Sequence, residues 1–115
     1  LSKKYILVKG SLNRERDFIY IDDVVDIWTK SLNKKYQNQT FNLGTGVGTS
    51  VKKLINLISK NAKIKLTKST RGDQSKIISD TKKLRMYFKK KNFIRLAQGL
   101  KNFIEYENRK IEKYL

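Results

Sequence analysis

The chain of 115 residues contains no cysteine, no histidine and no proline. Without cysteine there can be no disulfide framework, no thiolate zinc site and no cysteine nucleophile. Without histidine, a Ser-His-Asp triad and imidazole metal ligation are excluded, together with the side chain that most often moves protons near neutrality. Long apolar runs are also missing. None approaches the roughly 18 residues of a membrane helix, and the N-terminus has no signal-peptide core, so a cytoplasmic protein with no membrane partner is expected.

Acidic residues are scarce, at 10 against 27 Lys and Arg, which leaves a formal net charge of +17. The excess is carried mostly by 21 Lys. Two explanations stand side by side: an AT-rich coding bias, which also favours Ile and Asn, or an electrostatic footprint for phosphates in nucleic acid or a nucleotide ligand. With 38% hydrophobic residues, the chain reads as a small basic binder or as part of something larger. It begins at Leu1 rather than Met, and a fragment is expected.

What is present divides into short elements. Tyr5 to Val8 reads as a strand ending at Gly10, and Asp17 to Ile21 as a second. Asp22 and Asp23 then offer carboxylates to the start of a helix with Val24, Ile27, Trp28 and Leu32 on its buried face, ending near Asn33. Trp28 is expected in the core or at a subunit contact. Thr40 to Leu43 is a third strand candidate, with Asn42 serving its own turn, followed by the glycine loop Gly44-Thr45-Gly46-Val47-Gly48. Thr49 or Ser50 can cap a helix that buries Val51, Leu54, Ile55 and Ile58. Ile64 to Thr67 and Lys76 to Ser79 read as strands around a turn at Gly72. Asp80 caps a helix burying Leu84, Tyr87 and Phe88, and a last helix from about Ala97 buries Leu100, Phe103, Ile104 and Ile111.

Some patterns look catalytic and are not. Gly44-x-Gly46-x-Gly48 lies between a strand and a helix, but the dinucleotide fingerprint needs glycine where Thr49 stands and an acidic residue about 20 positions on. No cofactor-binding residue is therefore assigned. Tyr-x-x-x-Lys occurs at Tyr5/Lys9, Tyr87/Lys91 and Tyr106/Lys110, yet with six Tyr and 21 Lys chance alone yields about one match. No catalytic residue is assigned to them. The paired Asp22 and Asp23 lack companions to complete a metal shell, so no metal is expected. Most aromatics fall on apolar faces, which argues against a nucleic-acid partner.

An ordered set carries more. Gly10 leads, six residues on, to Arg16-Asp17-Phe18-Ile19-Tyr20-Ile21-Asp22-Asp23-Val24-Val25, and then come Phe41-Asn42-Leu43-Gly44-Thr45-Gly46, Thr49-Ser50-Val51, Arg71-Gly72-Asp73, Ile78-Ser79-Asp80-Thr81-x-Lys83 and Leu96-x-x-Gly99-Leu100. This series resembles the C-terminal portion of extended short-chain dehydrogenase/reductases, the NAD-dependent nucleotide-sugar epimerases and dehydratases of UDP-glucose 4-epimerase type. Those enzymes read roughly G-x-G-x-x-x-R-D-F-V-Y-V-D-D-V, F-N-I-G-x-G, R-P-G-D, A-D-x-S-K and L-x-x-G-L. The chain departs from them at Leu12, at Thr70-Arg71-Gly72 and at Lys89 to Asn92, where the family has glycine, proline and a glycine–tryptophan–proline stretch.

The resemblance implies an α/β fold, the C-terminal part of a Rossmann-like extended fold with short strands and about four helices forming a substrate lobe. Residues 1–115 would be a single partial domain, without the N-terminal dinucleotide-binding domain that holds NAD and the catalytic Tyr-x-x-x-Lys. It implies a nucleotide-diphosphate sugar as partner, bound by Arg16 and Arg71 as phosphate contacts with Asp73 on ribose hydroxyls or ordering the arginine loop. A guanidinium fork suits phosphate oxygens. The whole enzyme would carry NAD and form a homodimer; this segment alone would bind none and be inactive. The alternative is a truncated, non-catalytic remnant acting as a basic nucleotide- or nucleic-acid-binding module.

Overall fold

A computed structural model describes residues 5–114, with side chains described through Lys110. Within them, five short strands and four helices are interspersed, as the α/β reading expects. In chain order they are β1 (Ile6–Lys9), β2 (Glu15–Asp17), α1 (Ile21–Ser31), a 3-10 turn (Lys34–Tyr36), β3 (Gly48–Ser50), α2 (Val51–Ile58), β4 (Ile64–Thr67), β5 (Lys76–Ile77), α3 (Lys82–Phe88) and α4 (Leu96–Tyr114).

The strands form two small sheets. β1 pairs in parallel with β4, Val8 opposite Leu66. β2 is the centre of the other sheet, antiparallel to β3 with Arg16 opposite Thr49, and parallel to β5 with Arg16 opposite Ile77. The core is a cluster of Ile27, Leu84 and Phe88, against which Tyr36, Phe41, Leu43 and Phe93 pack. Tyr36 stacks on Phe88 at 4.4 Å, and Phe41 meets the same ring edge-on at 5.1 Å, the two favoured aromatic geometries. Among the described residues no helix is long and apolar enough to cross a membrane.

Several expectations from the sequence are corrected. Strand β2 stops at Asp17 rather than Ile21, because its partner β3 begins at Gly48 and the preceding loop folds back onto the Asp17 side chain. The start of α1 has Tyr20 at the cap with no side-chain cap; Asp22 and Asp23 lie in its first turn. There they oppose the helix dipole favourably, and Asp23 is drawn inward, 4% exposed. Residues 40–43 form no ladder with other described residues. Asn42 reaches across to the Asp80 carbonyl at 3.4 Å instead of its own turn. On α1, Ile27 is 4% exposed while Trp28 and Leu32 stand 63% and 83% in the open. Ile58, Tyr87, Phe103 and Ile104 are likewise exposed, so the aromatics are less confined to apolar interiors than their spacing suggested. The side chain of Ile111 lies outside the described residues.

Other local signals hold. Ser50 caps α2, accepting from the Lys53 N–H at 3.1 Å. Asp80, by contrast, is not the cap of α3: that is Thr81, without a side-chain cap, and Asp80 accepts the Lys82 N–H at 3.0 Å from the position before it. Gly72 adopts φ 83° in a turn closed by Asp73 N–H to the Thr70 carbonyl at 3.1 Å.

Candidate functional site

Two loops meet at one carboxylate. The chain leaves β1 through Gly10 at φ 81°, a left-handed conformation that favours glycine. The space a Cβ would take there lies 3.2 Å from an Asp73 oxygen and 3.5 Å from the Arg14 guanidinium carbon. The turn then delivers Arg14 and Arg16 to one side of the extended backbone, since alternate residues of a strand share a face. Arg16 Nη2 donates to Asp73 Oδ1 at 2.9 Å, and Arg14 Nη1 to Asp73 Oδ2. The three side chains are 26%, 20% and 16% exposed, so the cluster is half sheltered and open on one side. Arg16 Nη1 also donates to the Glu15 carbonyl at 2.8 Å and Arg14 Nε to the Ser11 carbonyl at 3.0 Å.

Of the residues expected to bind substrate, Arg16 and Asp73 are therefore in contact. Arg71 is not. It occupies the second position of the Thr70–Asp73 turn, where a side chain projects to solvent, and it is exposed with no ion pair among the described residues. In R-P-G-D the arginine stands three residues before the aspartate; here Thr70 holds that place and Arg71 takes the proline's. Arg14 was not singled out from the sequence, although its i, i+2 spacing from Arg16 is a signal that could have found it.

The glycine loop serves a second carboxylate. Asp17 accepts from Thr45 N–H at 2.9 Å, Gly46 N–H at 2.9 Å, Ser79 N–H at 3.2 Å and the Thr45 hydroxyl. Burial pushes the Asp17 carboxyl up, but these hydrogen bonds outweigh it and hold the group below its ordinary range. A Cβ on Gly44 would fall 2.5 Å from an Asp17 oxygen. The N–H groups that could cradle a pyrophosphate are already taken by a side chain of the same chain, so this loop does not fit NAD.

A third cluster links α1 to the segment between α3 and α4. Asp23 receives the Ile94 N–H at 2.7 Å and pairs with Lys90 Nζ at 2.8 Å, which also reaches Asp26 at 3.3 Å. Hydrogen bonding to Asp23 raises the Lys90 ammonium above its ordinary value. This is a clamp on the fold, formed by residues too far apart in sequence to be paired by inspection. Among the described residues no cluster of three or more acidic side chains offers a metal site.

Among the described residues no hydrogen bond is seen between the tyrosine and the lysine of any Tyr-x-x-x-Lys pair. Tyr5 and Lys9 flank an extended run, about 13 Å apart at strand rise. Tyr87 packs edge-on against Phe41, and Tyr106 lies exposed on α4. A cavity of about 360 Å³ between Phe18, Lys53, Phe93 and Arg95 does not include Arg14, Arg16, Arg71 or Asp73. Its Arg85 is committed to Thr81, Lys91 and Thr45.

The sequence pattern of the NAD dependent epimerase/dehydratase family matches residues 1–44. Over 106 residues the chain is 33% identical to the ADP-L-glycero-D-manno-heptose-6-epimerase of Brachyspira hyodysenteriae, covering 86% of this chain and 33% of that enzyme. Over 75 residues it is 36% identical to a probable UDP-arabinose 4-epimerase of Oryza sativa subsp. japonica, covering 60% of this chain and 18% of the relative. The UDP-glucose 4-epimerase of Thermotoga maritima, solved with UDP-glucose, superimposes with a TM-score of 0.82 at 27% identity over 93% of this chain and 36% of that one. The chain thus spans about a third or less of the length of these relatives.

Proposed function

Since this chain belongs to the NAD-dependent epimerase/dehydratase family, of extended short-chain dehydrogenase/reductase type, we propose that it is the sugar-nucleotide-binding part of an NDP-sugar epimerase or dehydratase. The observation that carries this reading is the meeting of the Gly10–Arg16 and Thr70–Asp73 segments at one half-sheltered, cationic point. A diphosphate needs charge-assisted donors in a fixed geometry. Arg16, already oriented by Asp73 and the Glu15 carbonyl, is the phosphate contact. Asp73 orders it and, once the phosphate is bound, can accept from ribose hydroxyls. Arg71, free at the corner of its turn, is available to close over the ligand. The UDP-glucose found with the Thermotoga maritima enzyme supports this class of ligand.

On this reading, hydride chemistry and NAD belong to a part of the enzyme outside this lobe. Two features support a lobe of that kind. The apolar stripe Ile21, Val25 and Trp28 of α1, continued by Leu32 at its C-cap, lies open, and the strand-like residues 40–43 have no ladder. A dinucleotide-binding domain would cover the first and pair the second.

The test is direct. The protein is titrated calorimetrically with UDP, ADP, GDP and dTDP, and the diphosphate it prefers should bind about tenfold or more weakly to Arg16→Ala, the equivalent of one charge-assisted contact. Absence of binding to all four, or unchanged binding by the variant, would count against the reading.

A further inference from the structure

We propose that Arg14 is a ligand residue of this site, supplying a second guanidinium to the diphosphate, and that Asp73 is the stand-in anion that holds both arginines ready. The inference rests on the sugar-nucleotide reading above and adds a residue to it. Charge decides the matter first. Arg16 and Asp73 form one pair of opposite charges, 2.9 Å apart, and such a pair presents no net attraction to a dianionic ligand. Arg14 turns the cluster cationic. The neighbouring carboxylate that could offset it, Glu15, is itself paired with Lys76 at 3.1 Å.

Donor capacity points the same way. Each of the two guanidinium groups gives only two N–H groups to Asp73 and a backbone carbonyl, leaving the larger part of each donor fork for a phosphate oxygen. Preorganisation adds to this. Arg14 is held by the Ser11 carbonyl and by Asp73, and it is one-fifth exposed. Arg71 stands in the open and would lose side-chain freedom on binding. Gly10 favours the arrangement, because a Cβ there would press on Ser69 at 3.1 Å and on Asp73 at 3.2 Å.

The experiment compares Arg14→Ala, Arg14→Lys and Arg71→Ala with the wild type, using whichever of UDP, ADP, GDP or dTDP binds best, at several salt concentrations. Arg14→Ala should weaken binding about tenfold and flatten its salt dependence, with an unliganded thermal midpoint near the wild-type value. Arg14→Lys should recover only part of the loss, since a point charge lacks the fork. Arg71→Ala should cost less than Arg14→Ala. Wild-type binding by Arg14→Ala overturns the inference and leaves the sugar-nucleotide reading standing; no binding by the wild type overturns that reading itself. If Arg14→Ala does not fold, Arg14→Lys decides. Folded and weaker supports the inference, while folded with full affinity overturns it.

Discussion

Lys89 ends α3 in the left-handed conformation, φ 50° and ψ 32°. A side chain there costs roughly 1 kcal/mol or more relative to glycine, and glycine is the residue the family's pattern carries before its tryptophan and proline. Lys89→Gly should therefore stabilise the protein by about 1 kcal/mol, read as an upward shift in urea or thermal midpoint; an unchanged or lowered midpoint would show that the lysine stem contributes packing that offsets the strain. At this scale the sequence was partly legible. Arg16 and Asp73 could be singled out because residue type and family pattern coincide. Asp17 as a four-donor acceptor and Asp23 as a clamp on Lys90 could not, because each depends on which loop lies opposite.

At the scale of elements, α1 shows what periodicity can and cannot give. Its apolar residues fall on one broad side and its aspartates on the other, so the 3.6 repeat identifies it as a helix to be covered, but not which part of that side this chain covers. The structure buries Ile27 and leaves Ile21, Val25, Trp28 and Leu32 outside. Ile27→Ala should cost about 2–4 kcal/mol through lost burial and a cavity, whereas Trp28→Ser should change stability by no more than about 0.5 kcal/mol. Chemical denaturation of the two variants checks this, and a large loss at Trp28 would mean that its face is covered. Residues 40–43 tell the same story for strands. Thr-Phe-Asn-Leu has the composition and alternation of a strand, with Phe41 and Leu43 turned toward the core, but a ladder needs a partner.

At the scale of the whole molecule, size and charge both matter. The radius of gyration is 17.2 Å, against about 13 Å for a compact domain of this length, and the two sheets are each only two or three strands wide. A chain carrying +17 also repels itself. Its few carboxylates are accordingly put to use. Asp26 is held below its ordinary value of 3.8 first by hydrogen bonding to Lys30, and Asp17 lies below it by its four donors. Groups with a lowered folded value contribute stability that is present above 3.8 and lost as pH falls through the folded value. Lys90, raised above 10.5, contributes below 10.5 and loses that contribution as pH climbs through its folded value. The thermal midpoint should thus be level between these limits, fall below about pH 4 and above about pH 10.5, and fall more steeply at low salt. A midpoint unchanged at pH 3 would remove the Asp17 and Asp26 networks from the stability of the fold.

Sequence by itself determined the class of fold, the positions of most helices and the family, because these depend on local periodicity, caps and an ordered series of short patterns. Its absences determined as much, by excluding thiol, imidazole and disulfide chemistry outright. Tertiary structure alone decided which cations meet which carboxylate, since Arg14 and Asp73 lie 59 residues apart. It also decided which side of α1 is inside and whether residues 40–43 have a ladder. Those outcomes depend on what packs opposite each element, and that information is spread over the whole chain.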